Sequence, residues 1–292
     1  MALAAYDPRP PADGPALEFL DRIADDLARG PLNLPCFPDI VPRVRAAIAD
    51  PRSTQDDLVR IAGTEPRLAA RLIQTAGSSV FNPAGKPLTN LRQAVTRLGH
   101  HLVQSVTMVF AIQQMKAEPA LRPVAKSLSS LWEKSIAVAS ICQVLANQLK
   151  VPPDKVFLTG LVHGIGHFYI MVRAAHPSDG FDYAAIPAEV LTDRHPGMGR
   201  VALEKWRFEP VVCEAIGAQN DLARSSNRAA DITDVVIASV VLAESLLDGS
   251  CDLTRCGGVT AFERLGLGPT ELTAALKHTE YRLGSLRETL AC

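Results

Sequence analysis

The sequence predicts an all-α protein made of two packed helical subdomains. Three observations carry that expectation. Apolar residues recur at three- and four-residue spacing in most segments, the segments are bracketed by Pro, Gly and capping residues, and no convincing alternating strand pattern occurs. With 292 residues, the chain is long enough for a sizeable core.

The elements follow in order. Residues 1–16 read as a flexible lead-in rich in Pro, Asp and Gly, with no basic region that would mark a secretory signal. Leu17, Leu20, Ile23, Ala24 and Leu27 then open an amphipathic helix. Pro42 and Pro51 bracket a short helix over 39–49. Ser53 or Thr54 caps the next one, with Asp56 and Asp57 in its first turn. Thr64 caps another helix, with Glu65 and Pro66 in its first turn and Gly77 as its terminator. From Asn90 a longer stretch runs to Lys116, with Gly99 as a possible break, so the first helical module covers 17–118.

Pro119 and Pro123 punctuate the boundary. The second subdomain, 119–250, holds a long helix over 127–150 and one starting at 152–154, followed by helices over 188–205, 210–219 and 231–247. Residues 251–292 form a loop and a last helix from Pro269.

Composition limits the function classes. Hydrophobic residues make up 47% and charged residues 21%, with a net charge of −1, which argues against a dedicated nucleic-acid binder. Arg43, Arg45, Arg52, Arg60, Arg67 and Arg71 give the first module a basic tendency, but they are interleaved with acids as on a solvated face. The apolar run 156–172 is slightly short for a membrane span and contains two histidines, so a buried helix is expected and no membrane partner. Six scattered cysteines without a C-x-x-C pair fit a reducing cytoplasm; only Cys251 and Cys256 are close enough to suggest zinc or a disulfide.

The stretch "LVHGIGHFYI" (161–170) is the most informative. On one continuous helix, His167 lies about 40° from His163 and Gly160, Gly164 and Gly166 fall on the same broad arc. Such a face suits a tight helix contact with two hydrogen-bonded core histidines, and equally a metal or ligand site. Lys134 is the one charge on an apolar stripe with Leu131, Val138, Ile141 and Leu145. Glu244 likewise ends a stripe of Ile237, Val240 and Val241. Two inward charges of opposite sign suggest each other as partners.

At this point the chain resembles the HDOD domain, the HD-related output domain of bacterial signalling proteins. The resemblance rests on "LPCFPDIVPRV", "STQDDLVRIAGTEPRLAARLIQTAGSS" and "LTNLRQAVTRLG" in 34–111, and on "LWEKSIAVA", "TGLVHGIGHFYI", "HPGMGRVALEKW" and "VVLAESL" in 131–247. It implies an HD-like second subdomain. HD enzymes hold divalent metal through a histidine, a His-Asp pair and a later aspartate, and the metal lowers the pKa of bound water for attack on phosphorus. Carried onto this sequence, those positions are Lys134, His163 with Gly164, and Glu244; a further histidine falls on His195, and a His-His pair on Gln219 and Asn220.

Glycine offers no side-chain ligand and an ammonium no lone pair. The resemblance therefore implies a non-catalytic module without a cofactor, with Lys134 in the vacated metal position and paired to Glu244. It would act through a signalling partner in trans or a small ligand, His163 and His167 serving structure or sensing. The alternatives are a divergent metal-dependent phosphohydrolase, with His163, His167 and His195 as three zinc ligands, and, with least support, a nucleic-acid-binding regulator.

Overall fold

The computed structural model describes residues 14–30, 38–78, 81–82, 84–146, 152–250 and 253–291. No strand occurs among them, and the fold is all-α. Helices α1 (Pro15–Arg29), α2 (Ile40–Ala49), α3 (Gln55–Ala62), α4 (Pro66–Gly77) and α5 (Leu91–Lys116) come first. A short 3₁₀ turn over Pro119–Val124 leads into α6 (Ala125–Leu145). Then follow α7 (Pro153–Leu161), α8 (Ile165–Ala175), α9 (Ala188–Lys205), α10 (Pro210–Gly217), α11 (Ile232–Leu247), α12 (Thr260–Arg264) and α13 (Pro269–Ala291).

The capping chemistry explains most boundaries. Thr54 accepts from the Asp57 backbone N–H and the Asp57 carboxylate accepts from the Thr54 N–H, a reciprocal box that starts α3. Asn90 caps α5, and Asp231 caps α11 with Asp234 as its reciprocal partner. Gly99, at φ 67°, breaks α5 into two segments in a conformation that only glycine adopts easily. Glu65, rather than Thr64, supplies the side-chain cap of α4. The long helix expected over 127–150 starts earlier and ends at Leu145; 147–150 lie outside the described residues.

Pro15 and Ala16, expected within the lead-in, already belong to α1, and residues 1–13 lie outside the described part. Cys36 and Cys251, the latter expected as a possible partner of Cys256, also lie outside it; Cys142 and Cys213 are buried.

Helix α6 is the hub, packing against α7, α11 and α13, while α8, α9, α10 and α11 follow each other around it. In the first module α5 gathers α2, α3 and α4, and it also contacts α7. Although first in the chain, α1 packs on α8 and α9. Arg173 holds that contact, donating to Asp26 on α1 at 2.8 Å and to Asp179 at 2.6 Å, while Tyr169 Oη donates to the Ile23 carbonyl.

A second strut runs from Arg45 on α2 to the Trp206 and Arg207 carbonyls beyond α9, with its guanidinium 3.9 Å from the Phe208 ring centre. The charge thus caps carbonyls at a helix C-terminus, where a cation is favoured. The apolar stretch Pro153–Ala175 is long enough to cross a membrane by composition, but 89% of its most apolar window is buried against the rest of the protein. Its hydrophobicity is spent on the core, including Phe157 and Tyr169.

Candidate functional site

The single helix expected to carry both His163 and His167 does not form. α7 stops at Leu161, Val162–Gly164 turn, and α8 begins at Ile165. Apolar periodicity continues through the turn, so the pattern alone conceals it. His163 therefore lies in a turn and His167 in the first turn of α8. The turn is held by the His163 ring: its Nδ1 donates to the Gly160 carbonyl at 2.9 Å. That bond assigns the proton to Nδ1 and leaves the lone pair on Nε2.

Five of the six candidate residues converge all the same. Lys134 from α6, His163, His167, His195 from α9 and Glu244 from α11 line one open cleft of about 560 Å³. Gly164 does not. A Cβ there would stand 2.6 Å from Leu131 Cδ1, on the side of a small apolar cavity that Met108, Ile112 and Trp132 also line. The Gly164 position therefore faces a leucine side chain.

Lys134 Nζ donates to Glu244 Oε1 at 2.8 Å, joining α6 to α11. The lysine side chain is 31% exposed and the glutamate 51%, so the pair sits at the cleft wall rather than in dry interior. α11 itself is pinned at its other end by Asp234, fully buried and bonded to Arg224 at 2.7 Å and Arg264 at 2.9 Å. Burial would raise the Asp234 pKa, but Arg264, the helix-cap N–H and Arg224 outweigh it and hold it below the usual value.

The rings of His167 and His195 are stacked, with centroids 3.9 Å apart and planes 16° from parallel. Backbone approach makes this possible. A Cβ on Gly166 would lie 1.9 Å from the His195 carbonyl oxygen and 2.8 Å from the Gly199 amide nitrogen, so α8 and α9 touch through glycine.

All three imidazoles are held neutral. Burial, then the nearby Lys134 charge, pushes His163 down to about 3 and His167 to about 4. Burial, then the other two histidines and Lys134, pushes His195 to about 2.

Sequence reasoning placed Gln219 and Asn220 at pattern positions without assigning them a site. Gln219 Nε2 donates to the His163 and Ile216 carbonyls, and Asn220 Nδ2 to the Thr192 carbonyl, tying the end of α10 to the turn and to α9. Ser127 and Ser130 also line the cleft; with Leu131 and Lys134 they share one α6 stripe, a signal the sequence offers. Tyr183, in a short 3₁₀ turn, had no periodic signal at all.

A divalent ion does not fit this donor set. A metal must lie in the plane of every imidazole that binds it, about 2.0–2.1 Å from nitrogen. The nearly parallel planes of His167 and His195 do not meet at such a distance. Among the described residues no group of three or more His, Cys, Asp or Glu side chains is placed to hold a metal ion.

These features define an HD-like helical fold. The HDOD domain profile matches residues 34–222, well over half of the chain, and the chain belongs to the HDOD family. Among solved structures it is similar to a candidate metal-dependent phosphohydrolase from Shewanella amazonensis SB2B, at 23% identity and TM-score 0.67, covering 94% of this chain and 99% of that one. It is similar as well to a candidate signal transduction protein from Marinobacter aquaeolei VT8 (19%, TM-score 0.61, 95% and 66%). A third is an HDOD domain protein of unknown function from Geobacter sulfurreducens (20%, TM-score 0.59, 94% and 98%). At these identities the likeness is one of fold. No protein of curated function matches the sequence.

Proposed function

We propose that this chain is a non-catalytic regulatory HDOD module of bacterial signal transduction, working in the cytoplasm. It takes a small ligand in the Lys134–His195 cleft and passes the signal to a protein partner in trans. One observation carries the reading: an ammonium–carboxylate pair and a stack of neutral imidazoles stand where hydrolysis needs converging metal ligands. The cleft lies where helices α6, α8, α9 and α11 meet, so occupancy there can bias how they pack.

A nucleic-acid role finds less support. Arg52 and Arg60 pair with Asp50 and Asp57, Arg43 donates to Thr64, and Arg45 is turned inward, so four of the six arginines are engaged within the protein.

The test is elemental analysis of protein purified without chelator, together with phosphodiester hydrolysis assayed with added Mn²⁺ or Zn²⁺. A protein without bound transition metal that leaves nucleotides and cyclic dinucleotides intact is the expected result. Near-stoichiometric metal that disappears in His163→Ala, with metal-dependent hydrolysis, would overturn the reading.

A further inference from the structure

Two residues that line the cleft each carry a buried polar atom without a hydrogen-bond partner, and the two atoms are opposite in kind. Gln219 is 1% exposed. Its two donations to the His163 and Ile216 carbonyls settle which way the amide faces, and its Oε1, an acceptor, has no hydrogen-bond partner. His195 is 6% exposed. Asn220 Nδ2, fixed by its bond to the Thr192 carbonyl, lies 3.4 Å from His195 Nε2, which therefore acts as the acceptor. The ring proton then sits on Nδ1, a buried donor, and it too has no partner. Buried groups of this kind are normally matched, so an unmatched donor and acceptor on residues lining one cavity point to a molecule that supplies both complements.

The charges of the cleft narrow that molecule. Lys134 is answered by Glu244, and the three imidazoles carry no charge near neutral pH. Lys126 is the remaining lysine on the lining, whereas phosphate groups are usually met by several converging cations. His167 and His195, whose rings are stacked on each other, both belong to the cleft lining, and such a wall suits a planar group.

We propose that the cleft binds an uncharged planar ring carrying adjacent C=O and N–H groups, a cyclic amide or imide. Its carbonyl accepts from His195 Nδ1 and its N–H donates to Gln219 Oε1. The assignment rests on the ligand-sensing reading above and gives that ligand a chemical class.

The experiment is titration of the full chain with uracil, 1,3-dimethyluracil and inorganic phosphate, followed through the ¹⁵N-labelled histidine ring signals. Uracil is expected to shift the His195 and His167 signals to saturation, 1,3-dimethyluracil to bind at least about tenfold more weakly for want of the N–H, and phosphate to leave them in place. Equal binding of the dimethyl compound would overturn the paired recognition. Shifts with phosphate and none with uracil would overturn the ring but leave a ligand-sensing cleft standing. No shift with any probe would mean that water alone meets the two atoms, and the proposal falls. Metal-dependent hydrolysis is read separately and would sink the regulatory reading itself.

Discussion

Lys134 and Glu244, 110 residues apart in the chain, meet at 2.8 Å and close the wall of the cleft between α6 and α11. Both had stood out as lone charges on apolar stripes, and the structure pairs them. The exposure of the pair sets its energetics. A fully buried ion pair would lose several kcal/mol on removal of one partner. This pair is 31% and 51% exposed, so water screens it and solvates the glutamate left behind. Lys134→Ala should therefore lower stability by only about 1 kcal/mol or less in urea unfolding. A loss of about 3 kcal/mol or more would show the pair to be dry.

Restoring the His-Asp sequence should not restore a metal site. In Gly164→Asp the new Cβ meets Leu131 Cδ1 at 2.6 Å, and Lys134 still offers a donor where a ligand is needed. The expected outcome is a variant with a lower melting temperature and no gain in bound Zn²⁺ or Mn²⁺ by elemental analysis. Stoichiometric metal in the single variant would contradict the geometry described here.

The sequence was legible where chemistry is local. Thr54 and Asn90 announce helix starts by their side chains, and Pro210 and Pro269 open α10 and α13 as prolines at helix starts do. Lys134 and Glu244 were legible because a charge on an apolar stripe needs an explanation. The turn at Val162–Gly164 was not, because buried residues continue on both sides of it and erase the periodic break. Nor could spacing show that His167 stacks on His195, since that contact depends on α8 and α9 meeting through Gly166, a tertiary fact. The Tyr183 wall of the cleft comes from a loop segment, where no period exists to read.

Gly166→Ala tests that contact directly. The added methyl would lie 1.9 Å from the His195 carbonyl oxygen, and neither backbone can yield without separating α8 from α9. The expected loss is about 3 kcal/mol or more, at the upper end of overpacking effects. Gly197→Ala is the control, because nothing lies within 4 Å of its added Cβ. If both variants unfold alike, the close helix approach is not as described.

The neutral histidines should make the protein acid-sensitive in a window of their own. In the unfolded chain each imidazole takes up a proton near pH 6.5. In the folded protein His167 resists to about pH 4, His163 to about 3 and His195 to about 2. Between these limits the unfolded state binds more protons, so stability rises with pH up to about 6.5 and is lost as pH falls below it. Each histidine contributes up to about 1.4 kcal/mol per pH unit. His101, also held low by burial, adds to the same trend. Carboxylates such as Asp57, held down by Arg60, and Asp179, held down by Arg173, act only at lower pH. Urea unfolding between pH 7 and 5 should therefore show a steep fall in stability equivalent to the uptake of about three protons. His167→Gln should reduce that uptake by about one. A flat profile across the window would mean that the imidazoles titrate normally and are not buried as the structure places them.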